Sequence, residues 1–255
     1  MTSDRSWKAA WVTGASSGIG RELALQLARR GVKVAASARS REKLAELQAL
    51  DANIRPFAVD VTDRQRVSET AAEIEAEIGP IDLLVLNAGI WQPMGPSVFS
   101  AETFASAMNV NVLGAVNAIE PILRGMLERQ SGHIALVGSV AGYRGLPKSG
   151  AYAPTKAALI SLAECLAHEL PMRGIKVSVI NPGFVETPMT RINKFPMPFI
   201  LKPDDAAARI IAGLERGRYE IAFPWPMVLA TKAARLLPNR LFFWFMRLSS
   251  PLGER

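Results

Sequence analysis

The chain has 255 residues, and its 49% hydrophobic and 21% charged residues are typical of a globular enzyme and not of a disordered chain. Its 30 basic and 23 acidic residues give a net charge of +7, but the basic residues are dispersed and no nucleic-acid-binding motif accompanies them, so nucleic acid is not an expected partner. The single Cys165 excludes an intrachain disulfide and a cysteine metal cluster, and Asp4 interrupts any signal peptide, so we expect a cytoplasmic protein without a metal site.

Short apolar runs alternate with helical patterns along most of the chain. The runs that predict strands read AAWVTG, VKVAASA, IRPFAVD, IDLLVLNAG, GHIALVGSV and GIKVSVINPG. Segments such as IGRELALQLARRG and RQRVSETAAEIEAEIG predict helices between them. This alternation implies crossover connections, and it predicts one α/β domain over residues 1–255. Its sheet should be doubly wound, mostly parallel and Rossmann-like, with about seven strands and helices on both faces.

The chain after Gly183 departs from this alternation. Residues 8–183 are predicted to form the core, whereas residues 184–255 contain a proline-rich stretch, a predicted helix from Pro203 to Arg216 and a short strand, YEIAF. Material after the last core strands usually covers the carboxyl edge of such a sheet, where ligands bind. We therefore expect this segment to cover the substrate.

A glycine-rich loop, VTGASSGIGREL, joins the first predicted strand to the first predicted helix. Gly14, Gly18 and Gly20 permit a tight turn and a close backbone approach, which would present amide groups and a helix N-terminus to a pyrophosphate. An acidic residue about 20 positions further on binds the ribose 2′-hydroxyl of NAD, whereas an arginine accommodates the 2′-phosphate of NADP. Here Arg39 occupies that region and the first acid is Glu42, which predicts NADP(H) and disfavours NAD. The alternative is that Arg39 merely solvates the start of the next helix.

Further polar motifs follow in a fixed order. After TGASSGIG at 13–20 come NAG at 87–89, Asn111 in NVNVLG, Ser139 in LVGSVAG, Tyr152 and Lys156 in AYAPTK, and NPGFVETPM at 181–189. With these motifs in this order, the sequence resembles the short-chain dehydrogenase/reductase family, in its single-domain branch, over roughly residues 8–190. The resemblance implies a nicotinamide-dependent oxidoreductase.

Ser139, Tyr152 and Lys156 form the predicted reacting group. Hydride transfer to a carbonyl carbon leaves negative charge on the oxygen, which needs a hydrogen-bond donor and then a proton. Ser139 can donate the hydrogen bond, and Tyr152 is the natural acid. An unperturbed phenol, with a pKa of about 10, exchanges protons slowly at neutral pH. Lys156 lies one helical turn away, so we expect its charge to lower the pKa of Tyr152.

The family resemblance assigns further roles. It implies that Lys156 also holds the nicotinamide ribose and that Asn111 positions a water that relays protons through the lysine. Neighbouring Asn109 is the alternative, but the spacing from Asn111 to Gly114 matches the family pattern. The residues expected to contact the cofactor, from the loop argument and the resemblance together, are Gly14, Ser16, Ser17, Gly18, Ile19, Gly20, Arg39, Asp60, Val61, Asn87, Ala88, Gly89, Tyr152, Lys156, Pro182, Gly183, Val185 and Thr187. Family members commonly associate through the tyrosine helix, which implies a homodimer or homotetramer.

The C-terminal segment combines apolar and basic residues. Residues 222–253 contain four basic residues and no acidic one, interleaved with PWPMVLA and LFFWFM. On a helix, Arg240 and Arg247 would fall on one stripe, and a second stripe would hold Leu241, Phe242, Phe245 and Leu248. This face could pack on the protein body, on a symmetric partner or over the active site. Alternatively, residues 226–255 could contact an anionic membrane surface peripherally.

Several residues after the site motifs are candidate walls of a substrate pocket, namely Trp91, Gln92, Phe184, Met189, Phe195 and Met197. Their mostly apolar character favours a lipophilic ketone or secondary alcohol. We expect His133 and His168 to be structural, and Cys165 to be a buried apolar residue of the tyrosine helix.

The sequence therefore predicts an NADP(H)-dependent oxidoreductase that interconverts a ketone or aldehyde and an alcohol. One alternative is a catalytically silent, dinucleotide-sensing protein, although Ser139, Tyr152 and Lys156 are all retained. A second alternative is an epimerase or dehydratase of the same family, although such relatives usually carry a longer substrate domain and a different glycine spacing.

Overall fold

A computed structural model of the protein describes residues 7–193 and 195–249. Within these residues the strands are β1 Ala9–Thr13, β2 Lys33–Ala38, β3 Ile54–Ala58, β4 Leu83–Leu86, β5 Gly132–Val137, β6 Ile175–Pro182 and β7 Glu220–Phe223. They form one sheet in the order β3-β2-β1-β4-β5-β6-β7, and every pairing is parallel. The predicted doubly wound, Rossmann-like sheet of seven strands is confirmed.

Helices connect the strands and cover both faces of the sheet. They are α1 Gly18–Ala28, α2 Arg41–Gln48, α3 Arg64–Ile78, α4 Ala101–Met108, α5 Gly114–Arg129, α6 Ala153–Glu169, α7 Pro203–Glu215, α8 Trp225–Leu236 and α9 Asn239–Ser249. Between α4 and α5 the chain makes a π-helical segment, Asn109–Leu113, in which the amide of Gly114 donates to the carbonyl of Asn109. This segment inserts an extra residue into what is otherwise one long helix.

Alternate residues of β1 point to opposite faces of the sheet, and each face has its own apolar core. Trp11 is fully buried in a cluster with Ile74 of α3 and Ile122 of α5. Val12 belongs to the cluster on the other face, with Leu23 of α1 and residues of α2 and α7. Because both faces are covered, the strands are continuous apolar runs and do not alternate with polar residues.

The sheet reverses its strand order between β1 and β4. β2 and β3 lie on one side of β1, whereas β4 to β7 lie on the other. The crossovers that leave β1 and β4 therefore run in opposite directions and open a crevice at the carboxyl ends of these strands. Ligands bind at this switch point in doubly wound sheets.

The sheet continues past residue 183, where the core was predicted to end. β7 pairs with β6, and α7 buries Ala206, Ile210 and Leu214 in the same core as α1. The helix predicted from Pro203 to Arg216 is confirmed to within one residue, and the YEIAF strand is β7.

Cys165 lies exposed on α6, so the prediction that it is buried is wrong. The buried face of α6 runs through Lys156, Leu159, Ile160 and Ala163. At about 100° per residue, Cys165 falls roughly opposite this face. His168 is also exposed, near the end of the same helix.

His133 is buried in β5 and bound to a serine of the neighbouring strand. Its Nε2 lies 2.8 Å from the Ser178 hydroxyl, which itself donates to the carbonyl of Arg218 at 2.6 Å. Nε2 must then carry the proton and donate it to Ser178. Burial, together with the charge of Lys176, lowers the pKa of His133 to about 4. The residue is therefore a neutral member of the core.

We expect the free energy of unfolding to fall in mild acid because of His133. The unfolded chain protonates this side chain near its ordinary pKa of 6.5, whereas the folded protein keeps it neutral down to about pH 4. Between these values the unfolded state binds more protons, so stability is lost as the pH falls. From pH 7.5 to 5 the loss should be about 2 kcal/mol, measurable by urea unfolding. His133→Asn should remove this loss of unfolding free energy between pH 7.5 and 5. The assignment would be contradicted if the loss persisted in His133→Asn, or if His168→Gln removed it.

Candidate active site

The glycine loop after β1 is tied to the end of β4 by Thr13 and Asn87. The Thr13 hydroxyl accepts from the amides of Asn87 and Ala88 at 3.0 and 3.1 Å, and the Asn87 side-chain amide donates to the carbonyls of Thr13 and Gly14 at 3.1 and 3.2 Å. Gly14 has φ +68°, and a Cβ there would lie 2.7 Å from the Cα of Ala88. Only glycine fits this turn, because a side chain would push the two strand ends apart.

The loop leaves a cradle that suits a pyrophosphate. Gly18, with φ +57°, begins α1, and a Cβ at this position would lie 2.8 Å from a methyl carbon of Thr187. Ser17 occupies the N-cap but makes no side-chain capping bond, so it leaves the first-turn amides to other acceptors. Backbone amides at a helix N-terminus bind phosphate oxygens well. The loop therefore fits a dinucleotide by its own geometry.

Nearly all of the predicted cofactor contacts line a single cleft at the switch point. The lining residues among them are Gly14, Ser16, Ser17, Gly18, Ile19, Arg39, Asp60, Val61, Asn87, Ala88, Gly89, Tyr152, Lys156, Pro182, Gly183, Val185 and Thr187. The exception is Gly20, which is buried; a Cβ there would lie 2.4 Å from the Asn87 side chain. Gly20 thus allows the close packing of α1 that forms the cleft, but does not line it. In the described part of the chain, no cluster of acidic, His or Cys side chains suits a metal.

Ser139, Tyr152 and Lys156 lie together in this cleft. Ser139 follows β5, and its hydroxyl accepts from the amide of Ala141 at 3.1 Å. Tyr152 is the N-cap residue of α6, and the Ser139 side chain is near enough to its phenol to lower the pKa of that group. Lys156 follows one turn later in α6. The segment after β5 and the start of α6 thus bring all three side chains to the carboxyl edge of the sheet.

Lys156 is a buried cation with a fixed position. Its side chain is only 4% exposed, and its Nζ donates to the carbonyl of Val137 at 2.8 Å and lies 5.5 Å from the centre of the Tyr152 ring. Burial lowers the pKa of Lys156 to about 8. The ammonium form therefore predominates at neutral pH but is lost in mild alkali.

Tyr152 does not have the lowered pKa that the sequence predicts from the neighbouring Lys156. Burial raises the pKa of Tyr152 to about 12, and the nearby Ser139 side chain opposes this only in part. The physical reason is that burial disfavours the charged phenolate, and this outweighs the Lys156 ammonium, which donates its hydrogen bond to the Val137 carbonyl. Tyr152 is thus held in its protonated form, as an acid requires.

Asn111 links three parts of the site from within the π-helical segment. Its side chain is 1% exposed, accepts from the amide of Ile90 at 2.7 Å and donates to the Ile90 carbonyl at 3.1 Å. It also donates to the Thr155 hydroxyl at 2.9 Å, and that hydroxyl donates to the Tyr152 carbonyl at 2.7 Å. Asn111 does not line the cleft. The position of Tyr152 therefore depends on Asn111 through Thr155, a contact that the sequence analysis missed.

Trp91 borders the catalytic tyrosine, and two further predicted wall residues pair with each other. The Trp91 ring meets the Tyr152 ring edge to face at 5.2 Å, and its indole donates to Asn193 at 3.0 Å. The rings of Phe184 and Phe195 lie 5.9 Å apart.

Of the other predicted wall residues, Met189 is part of the cleft lining, whereas Met197 and Gln92 are not. Met189 lines the cleft, and Met197 accepts a long hydrogen bond from Asn193, 3.5 Å at its sulfur. Gln92 is exposed, and its side chain makes no hydrogen bond to the described residues. Asn193 was not predicted; its partner is 102 residues away in sequence, and no local pattern indicates the pairing.

A doubly wound parallel sheet whose switch-point cleft joins a glycine-rich loop to a Ser, Tyr and Lys group defines a nicotinamide-dependent oxidoreductase. A family model described as short chain dehydrogenase matches residues 8–195. The chain belongs to the short-chain dehydrogenase family, as its motifs predict.

Known relatives agree with this assignment. An uncharacterized oxidoreductase of Myxococcus xanthus is 40% identical over 94% of this chain and 96% of its own length. A 3-oxoacyl-(acyl-carrier-protein) reductase of Escherichia coli is 36% identical over 83% of each chain. A short-chain dehydrogenase structure from Streptomyces avermitilis superposes with a TM-score of 0.82 at 27% identity, covering 97% of this chain and 99% of its own. The closed form of a serine dehydrogenase in complex with NADP+ gives 0.79 at 28% identity, covering 84% and 94%.

Proposed function

We propose that this protein is an NADP(H)-dependent oxidoreductase that interconverts a ketone or aldehyde and an alcohol. The observation that carries the proposal is that Ser139, Tyr152 and Lys156 share one cleft with the glycine loop. When bound, the nicotinamide supplies a hydride to the carbonyl carbon. The protein then has to stabilise the charge on the oxygen and deliver a proton to it.

Each of the three side chains has one task in reduction. Ser139 donates a hydrogen bond to the substrate oxygen, and Tyr152 transfers its phenolic proton to that oxygen as the C–O π electrons move onto it. Lys156 lies 5.5 Å from the tyrosine ring, and its charge favours the phenolate that this transfer leaves behind. A proton from solvent then restores the phenol through Lys156 and a water that, as the family resemblance implies, Asn111 positions. Oxidation of an alcohol follows the same steps in reverse.

The preference for NADP(H) rests on Arg39. Its exposed side chain lines the cleft just after β2, where the adenosine ribose lies in doubly wound sheets. The first carboxylate in the following sequence is Glu42, within α2. A guanidinium can bind a 2′-phosphate through two hydrogen bonds, whereas a carboxylate would repel it. The similar serine dehydrogenase was solved with NADP+, which supports the proposal.

Arg39→Ser should raise KM for NADPH by about tenfold to a hundredfold, the usual effect of losing a charged hydrogen bond. KM for NADH should hardly change, because NADH has no 2′-phosphate. Arg29→Ser, which removes an exposed arginine at the end of α1, is the matched control and should behave as the parent. A parent enzyme with a lower KM for NADH than for NADPH would refute the cofactor proposal.

The substrate is proposed to be lipophilic. Trp91 packs on Tyr152, Met189 lines the cleft, and Phe184, which follows Gly183 of the cleft lining in sequence, pairs with Phe195. Oxidation of NADPH against a panel of ketones, aldehydes and acyl thioesters tests the reaction class. The acyl thioesters belong in the panel because one relative is named for reducing a 3-oxoacyl carrier protein. No turnover with any of them, despite NADPH binding, would favour the silent sensor; conversion of an alcohol without net oxidation or reduction would favour an epimerase.

A homodimer or homotetramer is part of the proposal. Leu127 of α5 is exposed and borders a groove with Leu123, Cys165 and Leu166 of α5 and α6. A second copy would bury this apolar surface through the helix that carries Tyr152.

A further inference from the structure

The last helix of the described chain presents an apolar stripe to solvent. α9 packs on the protein through Phe242, which is 4% exposed. Leu241, Trp244 and Leu248 are 53%, 58% and 66% exposed, and on a helix they fall within a sector of about 60° that is turned away from Phe242. The sequence pattern had grouped Phe242 with Leu241 and Leu248, and the structure separates them.

The preceding helix has the same character. Met227 and Val228 of α8 pack against the core, whereas Trp225, Leu229 and Leu236 are exposed. These three side chains lie along one side of the helix, because their positions differ by four and seven residues. We name six exposed side chains of the two helices the C-terminal apolar surface: Trp225, Leu229, Leu236, Leu241, Trp244 and Leu248. Phe243 and Phe245 of α9 are also exposed, but they fall outside the sector of Leu241, Trp244 and Leu248. A soluble surface seldom carries so many large apolar groups close together in sequence.

Basic side chains accompany this surface, and acidic ones do not. Lys232, Arg235, Arg240 and Arg247 lie in residues 222–253, a stretch without Asp or Glu. Lys232 forms an ion pair with Glu220 of β7, so the positive charge beside the surface comes from the three arginines. Arg240 and Arg247 are seven residues apart and fall on one side of α9, beside the stripe of Leu241 and its neighbours. Two copies of this surface placed face to face would bring like charges together. The charge therefore complements an anionic partner better than a second copy of the chain.

The C-terminal apolar surface is separate from the nucleotide cleft. None of the described residues that line the cleft comes from α8 or α9. Arg144 contacts both helices. Its guanidinium donates to the carbonyls of Ala234, Arg235 and Leu237, at the end of α8, at 2.9 to 3.0 Å. It also lies 4.1 Å from the centre of the Phe242 ring of α9. The pair is thus held in place with its apolar side chains outward, and does not close over the site.

We propose that α8 and α9 dock this enzyme on an anionic lipid surface. Leu241, Trp244 and Leu248 insert at the boundary between headgroups and acyl chains, and the arginines bind lipid phosphates. None of the helices within residues 7–193 and 195–249 is long and apolar enough to cross a bilayer. The contact is therefore peripheral and reversible. It would bring the enzyme to the membrane, where a lipophilic carbonyl substrate is concentrated, and in this respect it rests on and deepens the proposed function.

Sedimentation with vesicles tests the docking. We expect the full chain to bind vesicles of phosphatidylcholine with about 30% phosphatidylglycerol at least tenfold more tightly than phosphatidylcholine alone, and added salt to weaken the binding. The triple variant Leu241→Ser, Trp244→Ser, Leu248→Ser should lose about tenfold or more in partition coefficient. Arg240→Glu with Arg247→Glu should lose a similar factor on the anionic vesicles only. Circular dichroism and NADPH binding verify that each variant is folded.

A matched control removes three exposed apolar side chains elsewhere: Leu50→Ser, Val98→Ser, Met172→Ser. This variant should bind vesicles as the parent does. Absence of parent binding, or equal loss in the control and the C-terminal triple variant, would overturn the proposal. The proposal would also be overturned if the parent did not bind vesicles and the triple variant had a lower oligomer mass than the parent. That result would identify a second copy of the chain as the occupant of the surface. Tyr152→Phe should retain full vesicle binding, so failure of the docking and failure of the proposed reaction are distinguishable.

Discussion

Tyr152→Phe is expected to lower kcat for carbonyl reduction by about 10³-fold while leaving the Kd for NADPH nearly unchanged. The substitution removes one oxygen and its proton but keeps the ring that packs edge to face on Trp91 at 5.2 Å. Burial raises the pKa of Tyr152 to about 12, so the phenol is protonated at neutral pH. Its loss therefore removes the acid itself and not a pH-dependent fraction of it.

The three tyrosines of the chain supply the control. Tyr219→Phe makes the same chemical change at an exposed position outside the cleft, and it should leave kcat unchanged. Steady-state NADPH oxidation gives kcat, and quenching of protein fluorescence on titration gives the Kd. A Tyr152→Phe enzyme as active as the parent would refute the proposed mechanism.

The kcat/KM for NADPH should fall above about pH 8, by about tenfold per pH unit. This ratio reports ionisations of the free enzyme, in which burial lowers the pKa of Lys156 to about 8. Above that pH the side chain becomes a neutral amine, which no longer supplies the charge beside Tyr152. The sign follows from the depressed pKa: the active ammonium form is present below it and is lost as the pH rises through it.

Lys156→Met should lower kcat/KM by about 10²-fold or more and abolish the alkaline fall near pH 8. Lys33→Met, at an exposed position of β2, should keep both the parent value and the parent profile. An alkaline limb that persists in Lys156→Met would assign the ionisation to another group, and Lys156 would then lack the proposed role.

The fold could be predicted because its signals are local. Each apolar run of the core, GHIALVGSV for example, became a buried parallel strand, and a proline followed by two acids placed the start of α7 correctly. The cleft was also predictable, because the glycine loop, Ser139 and Tyr152 all follow strands whose carboxyl ends meet at one edge of a parallel sheet.

The features that the sequence did not predict correctly depend on tertiary contacts, which no local sequence pattern contains. The contacts of Asn111 with Ile90 and Thr155 span 21 and 44 residues. The burial of Cys165 was predicted wrongly because α6 has apolar residues on most of its sides, so its sequence does not reveal which side faces the core. The pKa of Tyr152 was predicted in the wrong direction because the pairing with Lys156 is visible in the sequence, whereas the burial of the phenol is not.

The geometry of the active site depends on the one extra residue that the π-helical segment Asn109–Leu113 contains. Removing any single residue of the segment would let α4 and α5 join as an ordinary helix, with better backbone hydrogen bonds than the native chain has. The same deletion would rotate one part of the helix against the other by about 100°. If the Asn111 side of the helix turned, Asn111 would face the wrong way and Thr155 would lose its donor. Otherwise the α4 side chains would face the wrong way. A family member could thus become locally more regular and lose its activity through a one-codon deletion that touches neither Tyr152 nor Lys156.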